Sequence, residues 1–299
     1  MARMGLYCKS YGRDFLRLKR LLASILEFNC DQLPVYISTA SAERQLLEAT
    51  LGTQGYTWIS DEQIIASNPR VPADVQGRKS AYINQGIIKA EFWRLGLADN
   101  YLCIDADSKF LRNFYERDFI AADGEPYTVM HENKELWQMA VNRGQQRVLA
   151  DFRKEVGAMQ QIFQRQGPDY SFMPSPFLWS AKVWASLDKQ FLEPRGQTLW
   201  DVVDRGLGEY HWYGEALLAY QAIPLRPVEP YFRVYHYDWQ YFILRRQGET
   251  EAKVASNYTG IIYQSNWDYG MDMGVPEKSL LSRFLRRIKQ QIRFIRTYF

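Results

Sequence analysis

Cysteine is scarce in this chain: three in 299 residues, Cys8, Cys30 and Cys103, an odd number without close pair spacing. That argues against a disulfide framework and against a zinc site, and it reads as small thiols in a reducing compartment. Net charge is almost absent, at +3, too little for wholesale nucleic-acid binding, which needs a basic stripe. No stretch is long and apolar enough to span a bilayer, and Arg3 and Lys9 interrupt the N-terminus before a signal-peptide core could form, so a cytoplasmic location is expected. There is no internal repeat, no low-complexity tract and no Gly/Pro/Ser linker. One domain over residues 1–277 is therefore expected, and a hydrophobic content of 46% is ample for its core.

What is present begins as alternating β and α signals. Residues 5–8, 34–38 and 56–59 are short strand-like runs. Residues 13–28 carry Phe15, Leu18, Leu22, Ile25 and Leu26 at helical spacing, and 42–50 form a second helical pattern with Gly52 beyond its end. Strands alternating with helices predict an α/β fold with a mostly parallel central sheet and flanking helices. Ser80 is placed to cap a helix running to Leu95. Beyond Phe114 the pattern loosens. Residues 138–166 read as one long polar helix with Val148, Phe152, Val156, Met159 and Phe163 on one face, and Phe177–Ser180, 228–237 and 260–263 read as late strands.

The run Tyr101-Leu102-Cys103-Ile104 stops at Asp105-Ala106-Asp107. A buried strand ending in Asp-x-Asp puts two carboxylates where open α/β sheets collect ligands, and their mutual repulsion is relieved by a hard divalent cation, Mg²⁺ or Mn²⁺, that keeps positions open for phosphate. The plain alternative is a turn in which Asp and Ser bond their own backbone. Ser10, Tyr11, Arg13 and Asp14 follow the first strand and Asp61 the third, where a nucleotide base and ribose would lie, and Asp61 could accept the imide N–H of uracil. Helix capping by Asp14 and a turn role for Asp61 compete with that. Gln85 and Lys89, one turn apart, face the same edge, and Lys89 is either a partner for a diphosphate or a solvated surface charge. Trp212 and Tyr213 are the aromatics best placed to stack on an acceptor sugar, although core packing accounts for most of the chain's aromatic residues.

Following a βαβα half and a helix with Gln85, the segment from Tyr101 to Asp107 resembles the metal-binding signature of GT-A-fold glycosyltransferases, and the bacterial group DUF6492 in particular. Ser10 to Asp14, Pro174 to Ser180 and the stretch Glu209-Tyr210-His211-Trp212-Tyr213-Gly214 carry the rest of the likeness, which extends to about Gln264. The resemblance implies that residues 1–115 bind a nucleotide-sugar and 116–277 an acceptor. It implies too that Asp105 and Asp107 hold the cation bridging a diphosphate, with His236 a late third ligand. Glu209 becomes the nominated general base, with Asp201 and Asp204 in reserve. Glu209 can equally serve its own helix through the macrodipole, and His236 can be a packed core group. The implied activity is transfer from a UDP-sugar to a cell-envelope glycan or glycolipid such as lipopolysaccharide or capsule, with inversion and retention both open.

Residues 278–299 place Leu281, Phe284, Leu285, Ile288, Ile292, Ile295 and Phe299 at helical spacing among Arg283, Arg286, Arg287, Lys289, Arg293 and Arg296, with no acid. A basic amphipathic helix of this kind reads as an anchor to an anionic membrane surface, here the inner face of the cytoplasmic membrane, and otherwise as a helix docked on the domain. Two rival functions remain. A non-catalytic sugar- or nucleotide-binding protein could keep the fold without the base. A phosphatase with Asp-x-Asp would want the strand near the N-terminus and a hydroxyl where Lys109 stands.

Overall fold

The computed structural model describes residues 2–72 and 74–264, together with Ser279, Leu281, Phe284, Leu285, Ile288 and Ile292. The first strand, β1 (Ala2–Lys9), leads into α1 (Phe15–Phe28), whose Phe15, Leu18, Leu22 and Ile25 are buried as their spacing requires. Then come β2 (Val35–Thr39), α2 (Arg44–Leu51), β3 (Thr57–Ser60), α3 (Asp61–Ala66), α4 (Ala81–Glu91), β4 (Ala98–Cys103) and β5 (Ser108–Phe110). Ser60 and Ser80 cap α3 and α4 by accepting from the backbone N–H groups of Gln63 and Ile83.

The second half supplies β6 (Thr128–Val129), α5 (Lys134–Asn142), α6 (Gln146–Phe163), β7 (Phe177–Ser180), α7 (Ala181–Leu187), α8 (Leu199–Val202), α9 (Glu209–Tyr220), β8 (Pro227–Val228), β9 (Phe232–Val234), α10 (Asp238–Arg246), α11 (Glu251–Ala255) and β10 (Gly260–Ile262). The main sheet has the order β3-β2-β1-β4-β7. Its first four strands are parallel and β7 runs antiparallel to β4. Strand order reverses between β1 and β4, and in open sheets of this type the ligand crevice lies beyond the carboxyl ends of the strands at that reversal. The α/β, mostly parallel expectation is met.

Each face of the sheet buries its own core. Tyr7, Tyr101, Cys103 and Trp179 pack under α4, α7 and α9, while Leu6, Cys8, Leu102 and Ile104 pack against α1. Alternation along β1 and β4 explains the split, since successive side chains leave a strand on opposite faces. Tyr7 stacks on Phe92 with centroids 4.0 Å apart, and its hydroxyl meets the Ser38 hydroxyl at 2.9 Å. These contacts lock the C-terminal end of α4 over β1 and β2. The position of Lys89 depends on that lock.

Two elements differ from their sequence reading. The single helix expected over 138–166 is the pair α5 and α6, broken where Gly144 takes φ +65°, a conformation that no ordinary helical residue adopts. The strand expected over 228–237 is reduced to β8 and β9, interrupted at Pro230, which cannot donate to a ladder. Cys8 and Cys103 are buried free thiols and Cys30 is an exposed one. Among the described residues no helix is long and apolar enough to cross a membrane. Most of 278–299, including its basic residues, lies outside the described residues, but Leu281, Phe284, Leu285, Ile288 and Ile292 are helical and 40–67% exposed.

Candidate active site

A cavity of about 780 Å³ opens at the carboxyl ends of β1, β3 and β4. Its floor is made by the strand ends. At the end of β4 a β-turn, closed by the Ser108 N–H donating to the Asp105 carbonyl at 3.1 Å, presents the carboxylates of both Asp105 and Asp107 to the cavity. The turn is closed by backbone groups, and both carboxylates line the cavity. Strand β10 fixes the turn from behind: the Tyr263 N–H donates to the Asp107 carbonyl at 2.9 Å, which leaves Gln264 lining the cavity.

Lys9, the last residue of β1, reaches Asp61 with its Nζ 2.8 Å from Oδ2. Asp61 is only 3% exposed, and burial raises its carboxyl above the ordinary range while Lys9 pulls it back. Its second oxygen, Oδ1, is buried with no hydrogen-bond partner. Such an atom costs free energy unless something donates to it, and Asp61 lines the cavity. From α4, Lys89 pairs directly with Asp105. The side chain of Lys89 is only 6% exposed, so it is not a solvated surface charge, and Asp105 with neighbouring acids holds the ammonium above its ordinary pKa despite burial. Gln85 lines the same wall one turn earlier.

The roof comes from distant sequence. Glu209 opens α9 and lines the cavity. Burial raises its carboxyl above the usual range, Lys89 opposes the shift and Asp105 adds to it, which places Glu209 in the field of the Lys89–Asp105 pair. Its carboxylate lies over Gly86 of α4, where a Cβ would overlap it. Tyr210 stacks on Phe177, with centroids 5.7 Å apart and planes within 8°. Ser175, 5% exposed, lines the cavity with a hydroxyl that has no partner. Tyr11, Tyr82 and Tyr237 rim the opening at 42%, 67% and 36% exposure.

The donor chemistry fits a hard divalent cation: two carboxylates from one turn, with the His236 imidazole lining the same cavity. Burial, with His131 and Arg233 nearby, lowers His236 to about 4, so its ring is neutral, the form that ligates. Among the described residues no three His, Cys, Asp or Glu side chains converge on one point. The chain thus offers two carboxylates and leaves the remaining positions of a cation to phosphate oxygens and water.

Nine of the residues nominated from the sequence meet here: Tyr11, Asp14, Asp61, Gln85, Lys89, Asp105, Asp107, Glu209 and His236. Four do not. Ser10 is buried beneath β1 with its N–H on the Ser38 carbonyl, and Arg13 is exposed away from the cavity. Trp212 and Tyr213, 2% and 3% exposed, are core residues: Trp212 packs on Phe163 and Phe191, and the Tyr213 hydroxyl accepts from the Ser180 N–H at 2.8 Å. Neither can touch an acceptor. The reserve carboxylates are also committed elsewhere, Asp201 capping α8 through Thr198 and Asp204 accepting from the Arg205 N–H. The aromatic face of the cavity is instead Tyr82, Tyr210 and Tyr237, tyrosines whose exposure no local pattern reveals.

No family model matches the chain, and no curated protein matches it in sequence. Three solved glycosyltransferase structures align with it at TM-scores below 0.5. Mouse xyloside xylosyltransferase 1 in its apo form is 10% identical over 88% of this chain and 98% of its own, with a TM-score of 0.49. The galactosyltransferase LgtC, in complex with donor and acceptor sugar analogs, is 12% identical over 91% of each chain, also at 0.49. The bifunctional glycosyltransferase WbbM is 11% identical over 88% of this chain but 46% of its own, at 0.47. The functional reading rests on the geometry of the site itself.

Proposed function

We propose that the chain is a metal-dependent glycosyltransferase that moves a sugar from a nucleotide-sugar, in the UDP series, to a hydroxyl of a cell-envelope glycan or glycolipid. The observation that carries the reading is the convergence of Asp105, Asp107, Lys89, Asp61 and Glu209 on one cavity at the strand-order reversal. In this reading residues 1–115 hold the donor and 116–277 the acceptor. A divalent cation on Asp105 and Asp107 would supply Lewis acidity for the departing nucleoside diphosphate; His236, expected as a late third ligand, lines the same cavity but does not converge with the two carboxylates.

The chain's own residues do the rest. Asp61 Oδ1 accepts the imide N–H of uracil, which satisfies an oxygen otherwise without a partner among the described residues, and Tyr11, which lines the same cavity, offers a ring to stack on. Lys89 holds Asp105 in its ligating position and keeps positive charge beside the diphosphate. Glu209 accepts the proton of the acceptor hydroxyl, and its raised carboxyl is a stronger base than an exposed one. Incubating the purified chain with a panel of UDP-sugars and Mn²⁺ tests the reading. Release of UDP that requires both Mn²⁺ and intact Asp105 and Asp107 is expected; a panel left unconsumed with and without metal would refute it.

Residues 278–299 are proposed to hold the enzyme at an anionic membrane surface. The exposed apolar positions Leu281, Phe284, Leu285, Ile288 and Ile292 support this, because a helix docked on the domain would bury them. Sedimentation with anionic liposomes should fall as salt rises and vanish on deletion from Leu280 onward.

A further inference from the structure

A second chamber of about 470 Å³ abuts the first, and Pro174 and His236 line both. We propose that this chamber binds the acceptor, and that the acceptor end it holds is a neutral or amino-bearing sugar rather than a phosphorylated or uronic one; the proposal rests on the glycosyltransferase reading of the larger cavity. Two substrates that react by direct transfer must meet, and His236 with Pro174 marks where the chambers meet.

The charges in the chamber decide the class of ligand. Its cations are already committed. Arg233, 8% exposed, spends its guanidinium on Glu135 and Glu249 at 3.1–3.2 Å. Both nitrogens of His131 are engaged, Nδ1 accepting from the Asn133 N–H and Nε2 at 2.6 Å from the Met173 carbonyl. Lys134 pairs with Glu132 at 3.1 Å. The carboxylate of Glu229, 84% exposed, has among the described residues only the already engaged His131 as a cationic neighbour, at 3.8 Å. An anionic ligand would meet carboxylates with no free cation among the described lining residues to offset them, whereas sugar hydroxyls or an ammonium group donate to such oxygens.

A second observation points to a ligand independently. Gln240 lines the chamber and is 3% exposed. Its Oε1 accepts from the His236 N–H at 2.9 Å, and its Nε2 is the donor end of the same amide. A buried amide donor facing a cavity is satisfied by a ligand oxygen. Tyr170, Tyr258 and Phe232 supply apolar surface for the C–H face of a ring.

The test is ligand-observed saturation-transfer NMR on the full chain with UDP and Mn²⁺, using p-nitrophenyl galactoside, glucosaminide and glucuronide as probes. UDP affinity is measured in parallel. Galactoside and glucosaminide are expected to bind and glucuronide to fail. Glu229→Lys, at an exposed position that leaves the fold intact, should weaken the first two at least tenfold and leave UDP affinity unchanged, and Gln240→Leu should weaken the same two. Equal binding of the glucuronide, absence of binding by all three, or glycoside affinities unmoved by both substitutions would overturn the proposal. Glycosides that bind and lose affinity on substitution while UDP binds to no form would uphold the chamber and overturn the nucleotide-sugar reading.

Discussion

The floor and the roof of the large cavity are built in opposite ways. The floor consists of strand ends, Lys9, Asp61, Asp105 and Asp107, held by four parallel strands whose register leaves little freedom. The roof is the start of α9 and the segment around Ser175, set by packing rather than by backbone ladders. A rigid edge suits a ligand part common to many substrates, such as a nucleoside diphosphate. A packed and substitutable roof suits the part that differs, the sugar and the chemistry at its reacting carbon. Floor substitutions should therefore act on the metal and nucleotide, and roof substitutions on transfer.

The sharpest separation is expected at Glu209. Glu209→Gln should lower turnover by about 10²- to 10⁴-fold, the range for a lost general base, while UDP affinity holds. The base must be ionised to work, and its carboxyl sits above the ordinary range. Activity of the parent should thus fall as pH drops through that raised value, and the residual rate of the variant should lack this limb. Stability carries the opposite sign: a raised carboxyl contributes stability at low pH that is lost as pH rises through its folded value. Glu209→Gln should be at least as stable as the parent at neutral pH, with the gap closing on acidification, as denaturant titrations at several pH values would show.

Next in effect on transfer are Asp105→Asn and Asp107→Asn, each expected to lower turnover about 100-fold, roughly 3 kcal/mol at the usual conversion. Melting temperature should change little in Asp107→Asn, because the closing bond of the turn is made by backbone groups, whereas Asp105→Asn also takes the carboxylate from the buried Lys89 and should lower it. Gly86→Ala should then cost about tenfold in turnover, since its methyl takes the space of the Glu209 carboxylate. The fold should be unharmed or gain up to about 0.5–1 kcal/mol, because Ala is the better helix former. A loss of stability in this variant, with turnover intact, would break the distinction between roof and floor. The smallest selective effect is expected at Trp212→Ala, which should cost about 3–5 kcal/mol of stability as a core truncation and leave acceptor and donor KM unchanged in the molecules that fold.

The same division governs how much of the molecule can be read from its sequence. Residues 2–110 alternate strand and helix with local periodicity, and neighbours in sequence become neighbours in the sheet, so the α/β fold, the Asp-x-Asp turn and Asp61 at its edge were legible. Ser10 and Arg13 lie at the same strand edge as Tyr11, yet only Tyr11 reaches the cavity, a matter of side-chain direction that spacing does not convey. Trp212 and Tyr213 stand next to Tyr210 on one short helix, and which of the three faces the cavity is decided by Phe163, Phe191 and Ser180, residues brought there by tertiary packing. The need for Gly86 opposite Glu209 joins positions more than a hundred residues apart and leaves no local trace. Gly144 did carry a signal that the 138–166 helix would break, and the apolar periodicity on both sides of it masked that signal.

The central claim is that the strand-edge carboxylates hold a divalent cation together with a nucleoside diphosphate. Calorimetric titration of UDP into the full chain, with Mn²⁺ and with chelator, tests it most directly. The account predicts saturable binding that needs Mn²⁺ and loses that dependence in Asp107→Asn; heats of UDP binding that are the same with Mn²⁺, with chelator and in the variant would contradict it.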